Sequence, residues 1–375
     1  MRCFLRRGVA EAAGARRLPC VRVGRMRSRG TAGAVPDKVE AATTLADVVR
    51  QRKYRGWLVD QFGVLHDGVV AYPRAVALVR ELAEQGCKVV ILTNSARRAP
   101  HTLERLTKKM GFDPAWIAGV ATSGDVTHRV LSLEAGEIDE SLLPRDHALW
   151  RDLNPGRAGR RRCLHLTWSE FDHNNGIDLA RMGIDVVDTP DDADFVCVHW
   201  LDAIATQSPS PHDAPHGQRL TSPEEVEAIA RRAAELGLPV LCANPDIVAG
   251  RGTRLLPMPG SFCLRYKELG GPPDKIHLLG KPNAIIYNMI RDSLLPGLPQ
   301  EAVIAVGDSL EHDILGACDA GIDSVFITRG IHQDLLHVQQ EEACEAEGLW
   351  DTDALSSLCD EYCCEPTFTS AFFEV

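Results

Sequence analysis

No apolar run in this chain approaches the roughly 18 to 20 residues that a membrane-crossing helix requires. The longest, such as KVVIL and AVIAV, are short enough to be single strands, so no membrane span is predicted. An excess of basic residues is also missing. The formal net charge is −11, which argues against a nucleic-acid partner, because binding a phosphate backbone takes clustered Lys and Arg. Nor do the twelve cysteines include a CxxC pair. That points away from a structural zinc site and a disulfide framework, and leaves the thiols as small buried hydrophobes in a reducing compartment.

What is present is a chain of 375 residues, 45% of them hydrophobic and 25% charged, long enough for roughly two domains with buried cores. The charge is unevenly spread. Residues 1–35 hold nine Arg and a single acid, Glu11. An Arg- and Ala-rich, acid-poor leader without a continuous apolar core reads as an organelle transit peptide over residues 1–36; a plain basic tail is the alternative. Its few Ser and Thr lean towards the mitochondrion over the plastid.

Beyond the leader, apolar runs ending in polar residues alternate with helical patterns, which predicts an α/β fold with a parallel sheet and helices on both faces. GWLVD ends at Asp60 and CKVVILTN at Thr93 and Asn94, with a helix between them whose Ala75, Leu78, Val79 and Leu82 share one face. KIHLLGK ends near Lys281, AVIAVGD at Asp308 and DSVFITRG near Thr328. Polar residues at the carboxyl ends of parallel strands converge on one crevice, here Asp60, Thr93, Lys281 and Asp308. The stretch between Thr93 and Lys281 is too long for a crossover and predicts an inserted second domain over 123–273 with its own βα alternation. Within it, His212 and His216 lie among prolines and read as a surface excursion rather than a metal site.

Phosphoryl transfer through an aspartate needs a carboxylate nucleophile, a divalent cation, a positive charge beside the nucleophile, and donors for the substrate oxygens. Asp60 fits the nucleophile, and Asp308 and Asp313 offer hard oxygens for Mg2+. Lys281 would screen the negative charge, and Thr93, with Asn94 and the backbone that follows, would donate hydrogen bonds. Taken singly, each has a plainer reading as a turn or cap residue; their order along the chain favours catalysis.

The segments DQFGVLHDG, LTNSARR, LGKP and GDSLEHDILGACDAGI together resemble the haloacid dehalogenase-like (HAD) hydrolases, in the class IIA branch with the NagD-like nucleotide phosphatases. The resemblance covers roughly residues 54–332. It implies an HAD-like Rossmannoid core in two parts, 37–122 and 274–335, an α/β cap at 123–273, and a tail at 336–375. It also implies a small phosphorylated metabolite as partner, and, by analogy with relatives' caps, a homodimer. ANPD, with Asn244 and Asp246, is similar to the cap's substrate-facing signature, although an Asx turn explains it equally well.

Relatives that hydrolyse phosphate esters carry a second Asp two residues after the nucleophile as general acid and base. Here that residue is Phe62, whose backbone carbonyl still serves the metal but whose ring has no proton to give. The sequence therefore predicts a Mg2+-dependent phosphatase with intact attack and impaired proton transfer, with His66 or Asp67 as substitutes for the missing acid. The alternatives are a weak or inactive relative that binds a phosphometabolite or a protein and, since dehalogenases also place an aromatic there, a dehalogenase-type hydrolase.

Overall fold

The computed structural model describes residues 45–134, 136–154, 160–169, 177–206, 217–251, 254–337 and 350–375. The basic leader and the loop with His212 and His216 lie outside them. Three strands come first: β1 (Gly56–Val59), β2 (Lys88–Thr93) and β3 (Gly119–Thr122). A second series follows: β4 (Arg161–Thr167), β5 (Ile184–Val186), β6 (Phe195–Val198), β7 (Ala203–Thr206), β8 (Gly217–Leu220), β9 (Val240–Cys242), β10 (Val248–Arg251), β11 (Arg254–Pro257) and β12 (Ile276–Leu278). The chain then forms β13 (Val303–Gly307), β14 (Asp323–Ile327) and β15 (Phe368–Ser370).

The first sheet runs β15-β14-β13-β1-β2-β3, every neighbour parallel. Its strands are buried on both faces, as a parallel sheet requires: Leu58 joins one apolar cluster, while Trp57 and Val59 join the other. Helix Pro73–Glu84 covers one face with Ala75, Leu78, Val79 and Leu82, the set predicted from the sequence. Helix Ala284–Ser293 covers the opposite face with Ile285, Ile286 and Ile290. Burying one such aliphatic side chain contributes about 1.5–3 kcal/mol. In register, Val59 pairs with both Val306 and Ile91, so Asp60, Thr93 and Asp308 emerge at the same sheet edge.

The second sheet is mixed, in the order β12-β9-β6-β4-β7-β8 with β5 also on β4, and β10 and β11 form a separate hairpin. Both sheets lie in one compact unit, Ala42–Val375. The α/β expectation holds, with two differences in detail. The strand before Lys281, grouped by sequence with the first sheet, pairs instead with β9 in the second; an apolar run reports that it is buried, not which neighbour it finds. The stretch expected as a tail supplies edge strand β15 and helix Thr352–Tyr362, and Phe373 packs 6.4 Å from Trp57, ring centre to ring centre.

Candidate active site

Asp60 leaves β1 with its N–H donating to Val306 O at 2.9 Å. A tight turn follows, closed by Leu65 N to Gln61 O and Gly63 N to His66 O, both 2.9 Å. Gly63 takes a left-handed φ of +79°, and a Cβ there would collide with the Asp308 carboxylate; only glycine lets the turn close against β13. Asp308 itself accepts Ile331 N at 2.9 Å.

Asp313 reaches the same place through a widened π-type turn, Leu310–Ile314, a device common at functional sites. Asp313 N donates to Ser309 O at 2.9 Å, and Asp313 Oδ2 accepts Ser309 N at 3.1 Å. The carboxylate is thereby folded back under the end of β13.

Lys281 is buried, and its Nζ lies 2.6 Å from both Asp60 Oδ1 and Asp313 Oδ1. Asn94, just past β2, holds the lysine backbone: Lys281 N donates to Asn94 Oδ1 at 2.8 Å and Asn94 Nδ2 donates to Lys281 O at 3.3 Å. Thr93 Oγ1 accepts from Gln61 Nε2 at 2.7 Å and from Ser95 N at 3.2 Å.

Three buried carboxylates are therefore gathered at one ammonium, which touches two of them, Asp60 and Asp313. Burial is the main reason that Asp60 is pushed up to about 7, with Lys281 opposing and Asp313 adding to the rise. Asp308 lies well above the ordinary carboxylate range, again through burial first and then through Asp60 and Asp313. Burial also works against a charged Lys281, but Asp313 and Asp60 outweigh it and hold the ammonium above the usual lysine range. One oxygen from each of Asp60, Asp308 and Asp313 lies within 4.8 Å of the others. Hard oxygens in that grouping, with charge left over after Lys281, suit a divalent cation such as Mg2+.

The other sequence candidates fall differently. His66 is buried, with Nδ1 accepting Gly68 N at 2.9 Å and Nε2 3.4 Å from Gln61 Oε1; burial lowers it to about 4. Asp67 accepts Val69 N and Val70 N at 2.8 and 2.7 Å. Both are engaged in building the turn. The Phe62 ring, 37% exposed, stands edge-on to His66. Asn244 Oδ1 accepts Asp246 N at 3.0 Å, an Asx turn, while Asp246 Oδ1 takes Asn94 Nδ2 at 2.9 Å and lies 3.6 Å from His312 Nε2. Gln61, His312 and the Gly330–His332 loop escaped the sequence reading. Their roles arise from packing between strand ends, and the one available signal was their position beside motif residues.

A parallel sheet whose strand ends gather a buried Asp–Lys–Asp cluster beside a third carboxylate is an α/β core suited to metal-assisted chemistry on an anionic substrate. Two family models match the chain, one for haloacid dehalogenase-like hydrolases over residues 57–142 and one described as HAD-hydrolase-like over 278–351. Over these two segments the chain matches the HAD-like hydrolases. Among its relatives is a dihydroxyacetone phosphatase of Corynebacterium glutamicum, 27% identical over 74% of this chain and 82% of the relative. An acid sugar phosphatase of Staphylococcus haemolyticus is 22% identical over 75% of this chain and 87% of its own length. A solved structure from Cytophaga hutchinsonii, described as a possible sugar phosphatase of this superfamily, shares the fold with a TM-score of 0.59 and 17% identity, covering 87% of this chain and 97% of that one.

Proposed function

We propose that the protein is a Mg2+-dependent phosphatase of a small phosphorylated sugar, acting through an aspartyl-phosphate on Asp60, with slow proton transfer. The observation that carries this reading is the buried contact of Lys281 with Asp60 and Asp313 beside Asp308. The phosphatase relatives support the substrate class. Asp60, Asp308, Asp313 and the backbone carbonyl of Phe62 would hold the cation, which when bound offsets charge on the phosphoryl oxygens. Lys281 opposes the effect of burial on Asp60, favouring the ionised form needed for attack, and would fix its orientation. Asp246 comes from beyond β9 and accepts from Asn94, and in this reading it would contact the organic part of the substrate.

With Phe62 in place of an acid, the leaving oxygen departs without a proton from that position, and water attacks the aspartyl-phosphate without a base there. Turnover should favour esters with good leaving groups. Phe62 also favours a second reading, a weak or inactive relative that binds a phosphometabolite or a protein partner.

Phosphate release from a panel of phosphate esters decides between them, with Mg2+ binding verified separately. Release that disappears in Asp60→Asn supports the phosphatase; no release from protein that binds both Mg2+ and beryllium fluoride supports the second reading. We assign the basic leader to organelle import, mitochondrial before plastid. Fusion of residues 1–36 to a fluorescent protein should direct it there, and a diffuse cytosolic signal would remove the assignment.

A further inference from the structure

The sequence CLH at 163–165 recurs as CVH at 197–199. Each places a Cys and a His two residues apart, which on a strand puts both side chains on one face. The structure sets the two copies side by side, because β4 and β6 are parallel neighbours with His165 paired to Cys197. Leu164 and Val198 point to the other face, into the cluster around Phe262.

We propose that Cys163, His165, Cys197 and His199 form a structural site for one zinc ion inside the second sheet. His165 Nε2 lies 2.9 Å from His199 Nδ1, and Cys197 Sγ lies 3.4 Å from the same nitrogen. Ligand atoms of His165, Cys197 and His199 are mutually within 4.8 Å. Zn–N bonds of about 2.0–2.1 Å and Zn–S bonds of about 2.3 Å in a tetrahedron put neighbouring ligand atoms roughly 3.3–3.8 Å apart, and the separations of 2.9 and 3.4 Å to His199 Nδ1 lie within a few tenths of an ångström of that range. Cys163 lies on the same face of β4 as His165, two residues before the one paired with Cys197, and its thiol would have to turn towards these three to supply the fourth ligand.

Three features favour zinc over simple packing. All four side chains are 0–4% exposed, and burying imidazole in apolar surroundings is costly unless its nitrogens are used. His199 Nδ1 lies against both His165 Nε2 and Cys197 Sγ, so one imidazole nitrogen sits between two further potential ligand atoms. Two thiolates and two neutral imidazoles also make Zn2+ electrically neutral in the apolar interior, whereas Mg2+ prefers hard oxygens. Four protein ligands leave no open position, so the ion would tie β4 to β6 rather than take part in the reaction. The inference is independent of the phosphatase reading.

Cobalt(II) is the probe, added to the full-length protein in excess Mg2+ so that the carboxylate cluster is occupied. One equivalent should produce a thiolate-to-cobalt charge-transfer band and the intense d–d bands of tetrahedral ligation, and zinc should displace both. Trp168, its ring centre 5.8 Å from His199, should be quenched by cobalt and recover with zinc. The bands should vanish in Cys197→Ser and His199→Gln. They should persist in Cys242→Ser, a buried thiol on the other face of the same sheet, and in Asp308→Asn. No charge-transfer band in the wild type would overturn the proposal whether or not the variants fold. Bands that survive Cys197→Ser would overturn it as well.

Discussion

Asn94 and Lys281 grip each other through two reciprocal hydrogen bonds, Lys281 N to Asn94 Oδ1 at 2.8 Å and Asn94 Nδ2 to Lys281 O at 3.3 Å. The pair ties the end of β2, in the first sheet, to the residues after β12, in the second. It places the Lys281 ammonium against Asp60. Asn94→Ala should cost about 1–3 kcal/mol for the buried groups left unpaired and release the lysine backbone. We expect a lower melting temperature and a fall in kcat larger than the rise in KM, measured by thermal unfolding and steady-state kinetics. Unchanged kcat in a folded variant would mean that the pair does not position the lysine.

Removing one charge from the carboxylate cluster should stabilise the metal-free protein. Asp308 is held well above the ordinary carboxylate range by burial and by its acidic neighbours, so an amide of nearly the same shape relieves both. Asp308→Asn should match or exceed the wild type's melting temperature in EDTA while losing activity. Mg2+ should raise the wild type's melting temperature by linkage and leave the variant's nearly unchanged. Equal Mg2+ stabilisation of both proteins would show that Asp308 is not a ligand.

Phe62→Asp restores an acid where one is missing. General acid–base catalysis typically contributes about 10² to 10⁴ in rate, so turnover of alkyl phosphates should rise by that order, with little change for aryl phosphates with good leaving groups. In the wild type, acid quench should trap phosphate on Asp60 during turnover, since its hydrolysis lacks a base. A variant with no gain on poor leaving groups would place the proton transfer elsewhere in the site.

A second buried pair sets a pH dependence. His277 Nε2 lies 2.9 Å from Asp152 Oδ2, with Lys275 Nζ on the same carboxylate and the His147 ring nearby. Burial lowers the His277 pKa despite Asp152. The unfolded chain therefore binds a proton near the ordinary histidine value of about 6.5 before the folded protein does, and stability falls as the pH drops below it. Denaturant unfolding between about pH 7 and about pH 5 should show a shallower loss in His277→Gln than in the wild type, by up to about 1.4 kcal/mol per pH unit. Identical slopes would remove His277 from the titration.

Much of this site is written locally. Asp60, Thr93 and Asp308 end apolar runs, and a buried parallel strand must be apolar along its length and become polar where it leaves the sheet. The helix face Ala75, Leu78, Val79 and Leu82 was legible for the same reason: periodicity is a property of neighbouring residues. What depended on non-local pairing was not. Only the tertiary structure decided that β12 joins the second sheet and that β15 closes an edge of the first. It alone drew His66 and Asp67 into their own turn, where nearby backbone N–H groups were the first partners they met. Likewise, two Cys-x-His segments more than thirty residues apart are silent to any rule based on CxxC spacing. They become a cluster because strand register, set by long-range packing, lays His165 beside Cys197.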